Sequence, residues 1–223
     1  MEPSLEALVE TGILPEPIFH PGGLEVSREL AALCGIRSTS NVLDVACGTG
    51  ETACFLAETF ACRVVGIDAT ELQLKQAREK KAGRNISVEF QQADAHHLPF
   101  PDAMFDVVIT ECTLCHLEIG QALQEMVRVT RPGGFVGIHD LCWQENTPAN
   151  IKQRFAEVEH ERPETLAGWA RRFEQAGLVE IRTVDKSPLY PTWLKAEKRR
   201  FGLFGQLKIF IAVLNRWGFA GLR

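Results

Sequence analysis

The stretch NVLDVACGTGETA, residues 41–53, joins a short apolar run to a glycine-rich segment. The run predicts a buried strand, and Gly48 and Gly50 predict a tight turn before a helix. A turn of this kind lets a ligand approach the backbone, and the helix behind it presents free N–H groups. The stretch therefore predicts the first strand of a parallel sheet with a nucleoside site at its carboxyl end.

Four further short apolar runs lie downstream of this strand, and helical patterns separate them. This alternation predicts an α/β fold in which helices cover both faces of a mostly parallel sheet. The strand runs are CRVVGID (62–68), ISVEFQQ (86–92), FDVVITE (105–111) and GFVGIHD (134–140), followed by LVEIRTVD (178–185). The helical patterns cover 1–12, 24–35, 50–60, 70–82, 119–130 and 164–177.

Composition limits the class of protein. With 223 residues and 45% hydrophobic content, the chain predicts one domain with a sizeable core. The N-terminal MEPSLEALVETG has neither a positive n-region nor an apolar h-region, so we expect a cytoplasmic protein. The seven cysteines are an odd number without framework spacing, which in a reducing compartment indicates thiols rather than disulfides.

Charge is distributed unevenly along the chain. Residues 195–223 carry seven basic side chains and one acid, a net +6, whereas the whole chain carries −5, which leaves −11 for the rest. An acidic body argues against a nucleic-acid groove, because phosphate binding needs a basic face. We therefore expect a small-molecule substrate and no nucleic-acid partner.

Three acids stand at the ends of three successive predicted strands: Asp44, Asp68 and Asp94. Ligands of such sheets bind beyond the carboxyl ends of the strands. Asp68 can accept hydrogen bonds from both ribose hydroxyls, and Asp94 can accept one from an adenine amino group. The turn GTGETA (48–53) also matches the dinucleotide fingerprint. Asp44, however, would repel a pyrophosphate and attract an amino group or a sulfonium, so the acids favour a cationic nucleoside.

In its motifs the chain resembles the class I S-adenosylmethionine-dependent methyltransferases of the small-molecule type. The motifs keep the family's usual order across residues 41–141: VLDVACGTG, VVGIDAT, QQADAHHLPFPDAMFDVVITE and RVTRPGGFVGIHDL. The resemblance implies a Rossmann-like, doubly wound sheet, S-adenosylmethionine as cofactor, and methyl transfer to a small-molecule acceptor by in-line displacement. The family's final two antiparallel strands are only half visible, as 178–185.

The resemblance also implies which residues lie at the cofactor. Asp44 would orient the methionine end, Asp68 would bind the ribose and Asp94 the adenine. The backbone at Thr110 and Glu111 would face the methionine moiety and the incoming nucleophile. The full expected set is Asp44, Ala46, Gly48, Thr49, Gly50, Asp68, Ala69, Asp94, Ala95, Thr110 and Glu111.

The segment ECTLCHL, residues 111–117, spells Cys112-x-x-Cys115-His116. A c-type haem would need an exported chain, and the partners that would complete a zinc site are missing, so no metal site is expected. Either the thiols are small buried residues, or Cys112 acts in catalysis and Cys115 binds a thiol or metalloid acceptor such as arsenite. Arsenite methyltransferases have a similar segment, but the cysteine of their later helical region is missing. His116 is a candidate general base, with a loop histidine bonded to backbone as the alternative.

Other histidines are weaker candidates. His139 and Asp140 end the fifth strand, where they form either a base with its orienting acid or a satisfied strand-end pair, and His139 is kept as a substrate-binding residue. His96 and His97 are expected to be solvated beside the adenine edge.

The segment FHPGGLE, residues 19–25, precedes a predicted helix with a proline and two glycines. Its exposed N–H donors suit a carboxylate, which makes His20, Gly22 and Gly23 candidates for substrate binding in a lid. An ordinary helix start is the alternative.

The C-terminal residues predict a basic amphipathic helix, because apolar side chains recur at helical spacing from Leu203 to Trp217. Such a helix can dock on its own domain, pair two subunits or lie on a membrane. We expect docking, in a monomer or homodimer, rather than membrane contact. The predicted division is a helical lid at 1–40, the methyltransferase core at 41–186 and this segment at 187–223.

Two other classes of function remain open. An NAD-dependent oxidoreductase shares the glycine turn. A non-catalytic regulator would bind S-adenosylmethionine without transferring its methyl group.

Overall fold

The computed structural model describes residues 20–193, 195–196 and 199. They form two units: a core unit of Gly23–Glu145 with Pro163–Val184, and a second unit of the remaining described residues. Residues 1–19 and the C-terminal apolar stretch from Leu203 to Trp217 lie outside the described residues. The lid and the C-terminal helix therefore stay predictions.

Helices and strands alternate through the first part of the core unit, as the sequence predicts. Their bounds are α1 (Gly23–Leu33), β1 (Asn41–Val45), α2 (Glu51–Phe60), β2 (Arg63–Asp68), α3 (Glu71–Lys81), β3 (Val88–Gln92), β4 (Phe105–Glu111), a 3₁₀ turn (Leu114–His116), α4 (Ile119–Val129), β5 (Thr130–His139), β6 (Cys142–Trp143), β7 (Glu164–Thr165) and α6 (Leu166–Gln175). The second unit contains α5 (Ala149–Val158) and a 3₁₀ turn (Ser187–Leu189).

The five main strands form one parallel sheet in the order β3-β2-β1-β4-β5. The chain runs from β1 outward to β3 and then returns to the other side of β1, so the switch point lies between β1 and β4. There Val45 is in register with Thr110. Ligands of doubly wound sheets bind beyond the carboxyl ends at this point.

Apolar side chains from both faces of the sheet are buried, which is why the strands read as nearly continuous apolar runs. Along β1, Val42 packs in one cluster and Leu43 in the other. The first cluster includes Leu56 of α2, and the second includes Leu123 of α4 and Trp169 of α6. The prediction of helices on both faces is confirmed.

The fifth strand begins earlier than predicted. It starts at Thr130 rather than at residue 134, and its pairing with β4 shifts between Phe105 and Val107. The register shift accommodates the segment RPGG, residues 131–134. This segment therefore forms a bulge inside the strand and not a loop before it. A side chain at Gly134 would meet the Asp106 carbonyl oxygen at 2.6 Å, so the bulge needs a glycine there.

The strand predicted at 178–185 is wrong, because none of these residues is in a strand. Val179 is 83% exposed and Val184 is 49% exposed. β-Branched residues favour a strand only where a neighbouring strand and a core face receive them. Two short segments that the sequence did not predict, β6 and β7, pair instead in a separate two-stranded sheet.

Arg128 of α4 holds the loop that follows β3. Its guanidinium donates to the carbonyls of Leu98 and Phe100 and to the carboxylates of Asp102 and Glu125, over 2.7–2.9 Å. Glu125 in turn accepts the Leu98 N–H over 2.7 Å. These hydrogen bonds fix the loop to α4.

Replacing Arg128 by Met should lower the free energy of unfolding by roughly 2–3 kcal/mol, because it removes the guanidinium donor from two carbonyls and two carboxylates. Urea unfolding measures this change. Arg78→Met is the matched control, since Arg78 pairs with Glu71 at the surface, where such pairs contribute about 1 kcal/mol or less. Equal losses in the two variants would contradict the assignment.

In the part of the chain that the structure describes, no helix is both long and apolar enough to cross a membrane.

Candidate functional site

The glycine turn after β1 is held by Asp68. The Gly48 N–H donates to Asp68 Oδ2 over 3.0 Å, and the Thr70 N–H donates to Oδ1 over 2.9 Å. Ala46, Gly48 and Gly50 have positive φ values of 59°, 52° and 73°, which produce the sharp change of direction. The two predicted cofactor elements, turn and acid, thus meet at the ends of adjacent strands.

Lys80 of α3 reaches the same turn from outside. Its ammonium donates to Thr49 Oγ1 over 3.2 Å and pairs with Glu51 at the start of α2. Nothing in the sequence around Lys80 indicates this contact, because a lysine in the last turn of a surface helix carries no local signal of it.

Asp44 is the most unusual polar group of the core unit. It is 3% exposed, and its Oδ2 has no hydrogen-bond partner among the described residues. Burial raises the pKa of this carboxyl well above its ordinary value, and the charges of Glu111 and Asp68 raise it further, while the Ala53 N–H acts in the opposite direction. A buried acceptor of this kind needs a donor, and a cationic one suits three neighbouring acids.

Glu111 contributes its side chain as well as its backbone to this cluster. Its carboxylate accepts the Ser27 hydroxyl of α1 at 3.1 Å and the Thr52 hydroxyl of α2 at 2.7 Å. His139 Nδ1 lies 3.7 Å from Glu111 Oε1. Only the Glu111 backbone was predicted here. Ser27 and Thr52 were not, because their contacts with Glu111 span 84 and 59 residues of chain.

The other predicted cofactor residues lie along the same edge. Thr110 is fully buried, and its hydroxyl donates to the Val45 carbonyl over 2.9 Å, which joins the ends of β4 and β1. The Ala69 carbonyl accepts Gln92 Nε2 over 2.8 Å. Ala95 packs against the core beside the loop after β3.

Asp94 begins that loop and is bonded to His96. The His96 backbone N–H donates to Asp94 Oδ1 over 2.8 Å, and the ring Nδ1 lies 2.7 Å from the same oxygen. These bonds lower the pKa of Asp94, which favours an ionised acceptor. Of the two histidines expected to be solvated, His96 is only partly so, with its side chain 23% exposed, whereas His97 is 76% exposed.

The segment 112–116 forms the turn after β4. Cys112 has a φ of 49° and donates its N–H to the His139 carbonyl over 2.7 Å. Cys115 is buried at 2% exposure, and His116 is exposed. The turn therefore directs the two cysteines differently: Cys115 lies in the core and Cys112 is half-buried.

The side chain of Asp140 helps to hold this turn. Its carboxylate accepts the backbone N–H groups of Cys115 over 3.3 Å and Leu141 over 2.7 Å. Burial raises the pKa of Asp140, and these hydrogen bonds partly oppose the rise. Glu111 Oε1 lies 3.7 Å from His139 Nδ1, so an acid other than Asp140 lies beside this ring, and a role for the His139–Asp140 pair stays a prediction.

The candidates from the N-terminal segment fall in different units. Gly23 is the first residue of α1 in the core unit and has a φ of 58°. His20, which is buried, and Gly22, with a φ of 88°, belong to the second unit.

Comparison with known proteins shows which family this chain belongs to. Residues 43–138 match the family described as a methyltransferase domain. Phosphoethanolamine N-methyltransferase 1 of Arabidopsis thaliana is 32% identical over 185 residues, which cover 80% of this chain but only 37% of that protein. The 27-O-demethylrifamycin SV methyltransferase of Amycolatopsis mediterranei (strain S699) is 32% identical over 190 residues, covering 80% of this chain and 68% of that protein.

A solved structure shows the same fold. Phosphoethanolamine N-methyltransferase 2 of Haemonchus contortus, in complex with S-adenosyl-L-methionine, matches with a TM-score of 0.79 and 20% identity, over 97% of this chain and 51% of that one. The chain thus spans about half the length of the Haemonchus protein and a little over a third of the length of the Arabidopsis protein. The sheet order, the strand-end acids and these matches agree: the chain belongs to the class I S-adenosylmethionine-dependent methyltransferase family.

Proposed function

We propose that this chain binds S-adenosylmethionine at the carboxyl ends of β1, β2 and β3 and transfers its methyl group to a small-molecule acceptor. The observation that carries the proposal is Asp44 Oδ2, a fully buried acceptor without a partner among the described residues, beside Glu111 and Asp68. An ammonium group fits this acidic cluster, whereas a pyrophosphate would be repelled by it. The same charge argument speaks against the dinucleotide alternative.

Each cofactor residue then has a separate task. Asp44 binds the amino end of the methionine moiety, Asp68 accepts from the ribose hydroxyls while it holds the glycine turn, and Asp94 accepts from the adenine. Gly48 and Gly50 keep the turn free of side chains so that the ligand can lie against the backbone. Ala46, Thr49, Ala69, Ala95, Thr110 and Glu111 complete the proposed lining.

S-adenosylmethionine, when bound, supplies an electrophilic methyl group on a cationic sulfur. The protein then contributes mainly by holding two reactants in line and excluding water. A carboxylate touching the sulfur would stabilise the charge that the transition state loses, so Asp44 serves better at the amino end. General-base help is needed only where the acceptor carries a proton at the attacking atom.

His116 and Cys112 are the proposed residues at the acceptor, because they stand in the turn after β4, next to the switch point. His116 is exposed and can take a proton from a hydroxyl or an ammonium. The names of the relatives specify phosphoethanolamine and a rifamycin as acceptors, which supports a small-molecule acceptor here. Cys115 is 2% exposed, which gives the thiol or metalloid alternative no support. His20, Gly22, Gly23 and His139 remain proposed substrate contacts.

Incubating the full chain with methyl-labelled S-adenosylmethionine and separate amine, hydroxyl, thiol and arsenite acceptors tests the proposal. We expect transfer to an amine or a hydroxyl acceptor, and a loss of about 100-fold or more in kcat for His116→Ala, as for a removed general base. His160→Asn, a change at an exposed histidine of the second unit, should leave the rate unchanged. Transfer to arsenite alone, or an unchanged rate for His116→Ala with every acceptor, would contradict these roles.

A further inference from the structure

His96 bridges two parts of the proposed site. Its ring Nδ1 lies 2.7 Å from Asp94 Oδ1, while Nε2 accepts the backbone N–H of Glu118 over 3.1 Å. Because Nε2 is an acceptor here, the neutral ring carries its proton on Nδ1 and donates it to Asp94. One imidazole thus connects the adenine-facing acid after β3 to the residue that precedes α4.

Glu118 is the N-cap of α4, and its own side chain makes no capping hydrogen bond. The first N–H groups of a helix have no acceptor within the helix. For the Glu118 N–H, the His96 imidazole supplies this acceptor from outside the helix. Gln121 in the first turn also donates to the His96 carbonyl over 3.3 Å. The start of α4 is therefore fixed to the loop that begins with Asp94.

The other end of this connection is the turn that carries the acceptor candidates. Residues 112–118 connect β4 to α4 and contain Cys112 and His116, so the position of the Glu118 N–H limits where this segment ends. The second oxygen of Asp94, Oδ2, lies 3.7 Å from His97 Nδ1, and the Asp94 side chain is 59% exposed, so a ligand can reach this oxygen. A ligand on Oδ2 and the imidazole on Oδ1 thus share one carboxylate.

We propose that His96 is a positioning residue that couples adenine binding at Asp94 to the order of segment 112–118 and the first turn of α4. This inference rests on the proposed function, since it requires the adenine at Asp94. When a nucleoside fixes the Asp94 carboxylate, the imidazole is held in the orientation in which it accepts the Glu118 N–H. Cofactor occupancy then orders the segment that carries His116.

Variants at His96 separate its two contacts. His96→Asn keeps a donor near the Nδ1 position but is too short to reach Glu118, whereas His96→Gln places an acceptor near Nε2 and gives up the donor to Asp94. His96→Ala removes both contacts. His160→Asn is the control, because it replaces an exposed histidine of the second unit and leaves both contacts of the His96 ring in place.

The experiment measures S-adenosylhomocysteine binding by calorimetry and amide hydrogen exchange at residues 118–121, with and without that ligand, in the full chain. In the wild type and His160→Asn, the ligand should slow exchange at 118–121. His96→Asn should keep its affinity within about twofold but lose this protection. His96→Gln and His96→Ala should bind about five- to tenfold more weakly, the net effect of losing one typical intramolecular hydrogen bond, here the one that orients Asp94. Melting temperatures identify any variant that fails to fold.

Two results would overturn the coupling: a wild type that binds the ligand without protection at 118–121, or three His96 variants that lose affinity and protection in parallel. A wild type that does not bind S-adenosylhomocysteine would instead refute the proposed function.

Discussion

Asp44→Asn is expected to weaken S-adenosylhomocysteine binding by about 30- to 100-fold, the effect of one charge-assisted hydrogen bond. The ammonium of the ligand loses the carboxylate that is otherwise without a partner on Oδ2. Calorimetric titration measures the change. Glu58→Gln is a suitable control, since Glu58 is an exposed partner of Arg84. Unchanged affinity in Asp44→Asn would refute the assignment of Asp44 to the amino end.

The same substitution should make the ligand-free protein more stable. The folded-state pKa of Asp44 lies above its unfolded value, so the folded protein binds more protons between those two values and loses stability as pH rises through that range. Asn carries no charge and removes this contribution, because a neutral amide is less costly to bury. Urea unfolding at pH 5 and pH 8 should show a smaller stability loss with rising pH in Asp44→Asn than in the wild type. A variant less stable than the wild type at pH 8 would indicate that Asp44 is needed for folding instead.

Gly50→Ala should cost roughly 3 kcal/mol of folding free energy. Gly50 has a φ of 73°, where an L side chain is strained by about 1 kcal/mol or more. Its new Cβ would also lie 2.5 Å from Phe90 Cζ and 2.8 Å from Ala77 Cβ, and overpacking of this kind costs about 1–3 kcal/mol. Chemical unfolding measures the loss.

Gly48→Ala provides the matched control for this substitution. Gly48 has a similar φ of 52°, but nothing lies within 4 Å of the added Cβ. We therefore expect a loss of only about 1 kcal/mol, from backbone strain alone. Equal losses at the two glycines would mean that packing against Phe90 does not matter.

The predictable part of this protein is local in sequence. The run NVLDV followed by glycines predicts a strand and a turn because each feature depends on neighbouring residues. The strand-end positions of Asp44 and Asp68 follow from the strand alternation, since parallel strands bring their carboxyl ends to one edge. Asp94 follows β3 by the same logic.

The unpredicted part depends on contacts between distant residues. Ser27 and Glu111 are 84 residues apart, and His96 and Glu118 are 22 apart, so no spacing rule indicates either pair. Residues 178–185 show the converse case, in which a local strand pattern has no pairing partner in the described structure. Local propensity therefore predicted the elements, whereas tertiary contacts decided which side chains complete the site.

Calorimetric titration of the wild-type full chain with S-adenosylhomocysteine and, in parallel, with NAD tests the central claim most directly. The strand-end acids predict saturable binding of S-adenosylhomocysteine at one site per chain and no heat of binding with NAD. Binding of NAD without binding of S-adenosylhomocysteine would contradict the account.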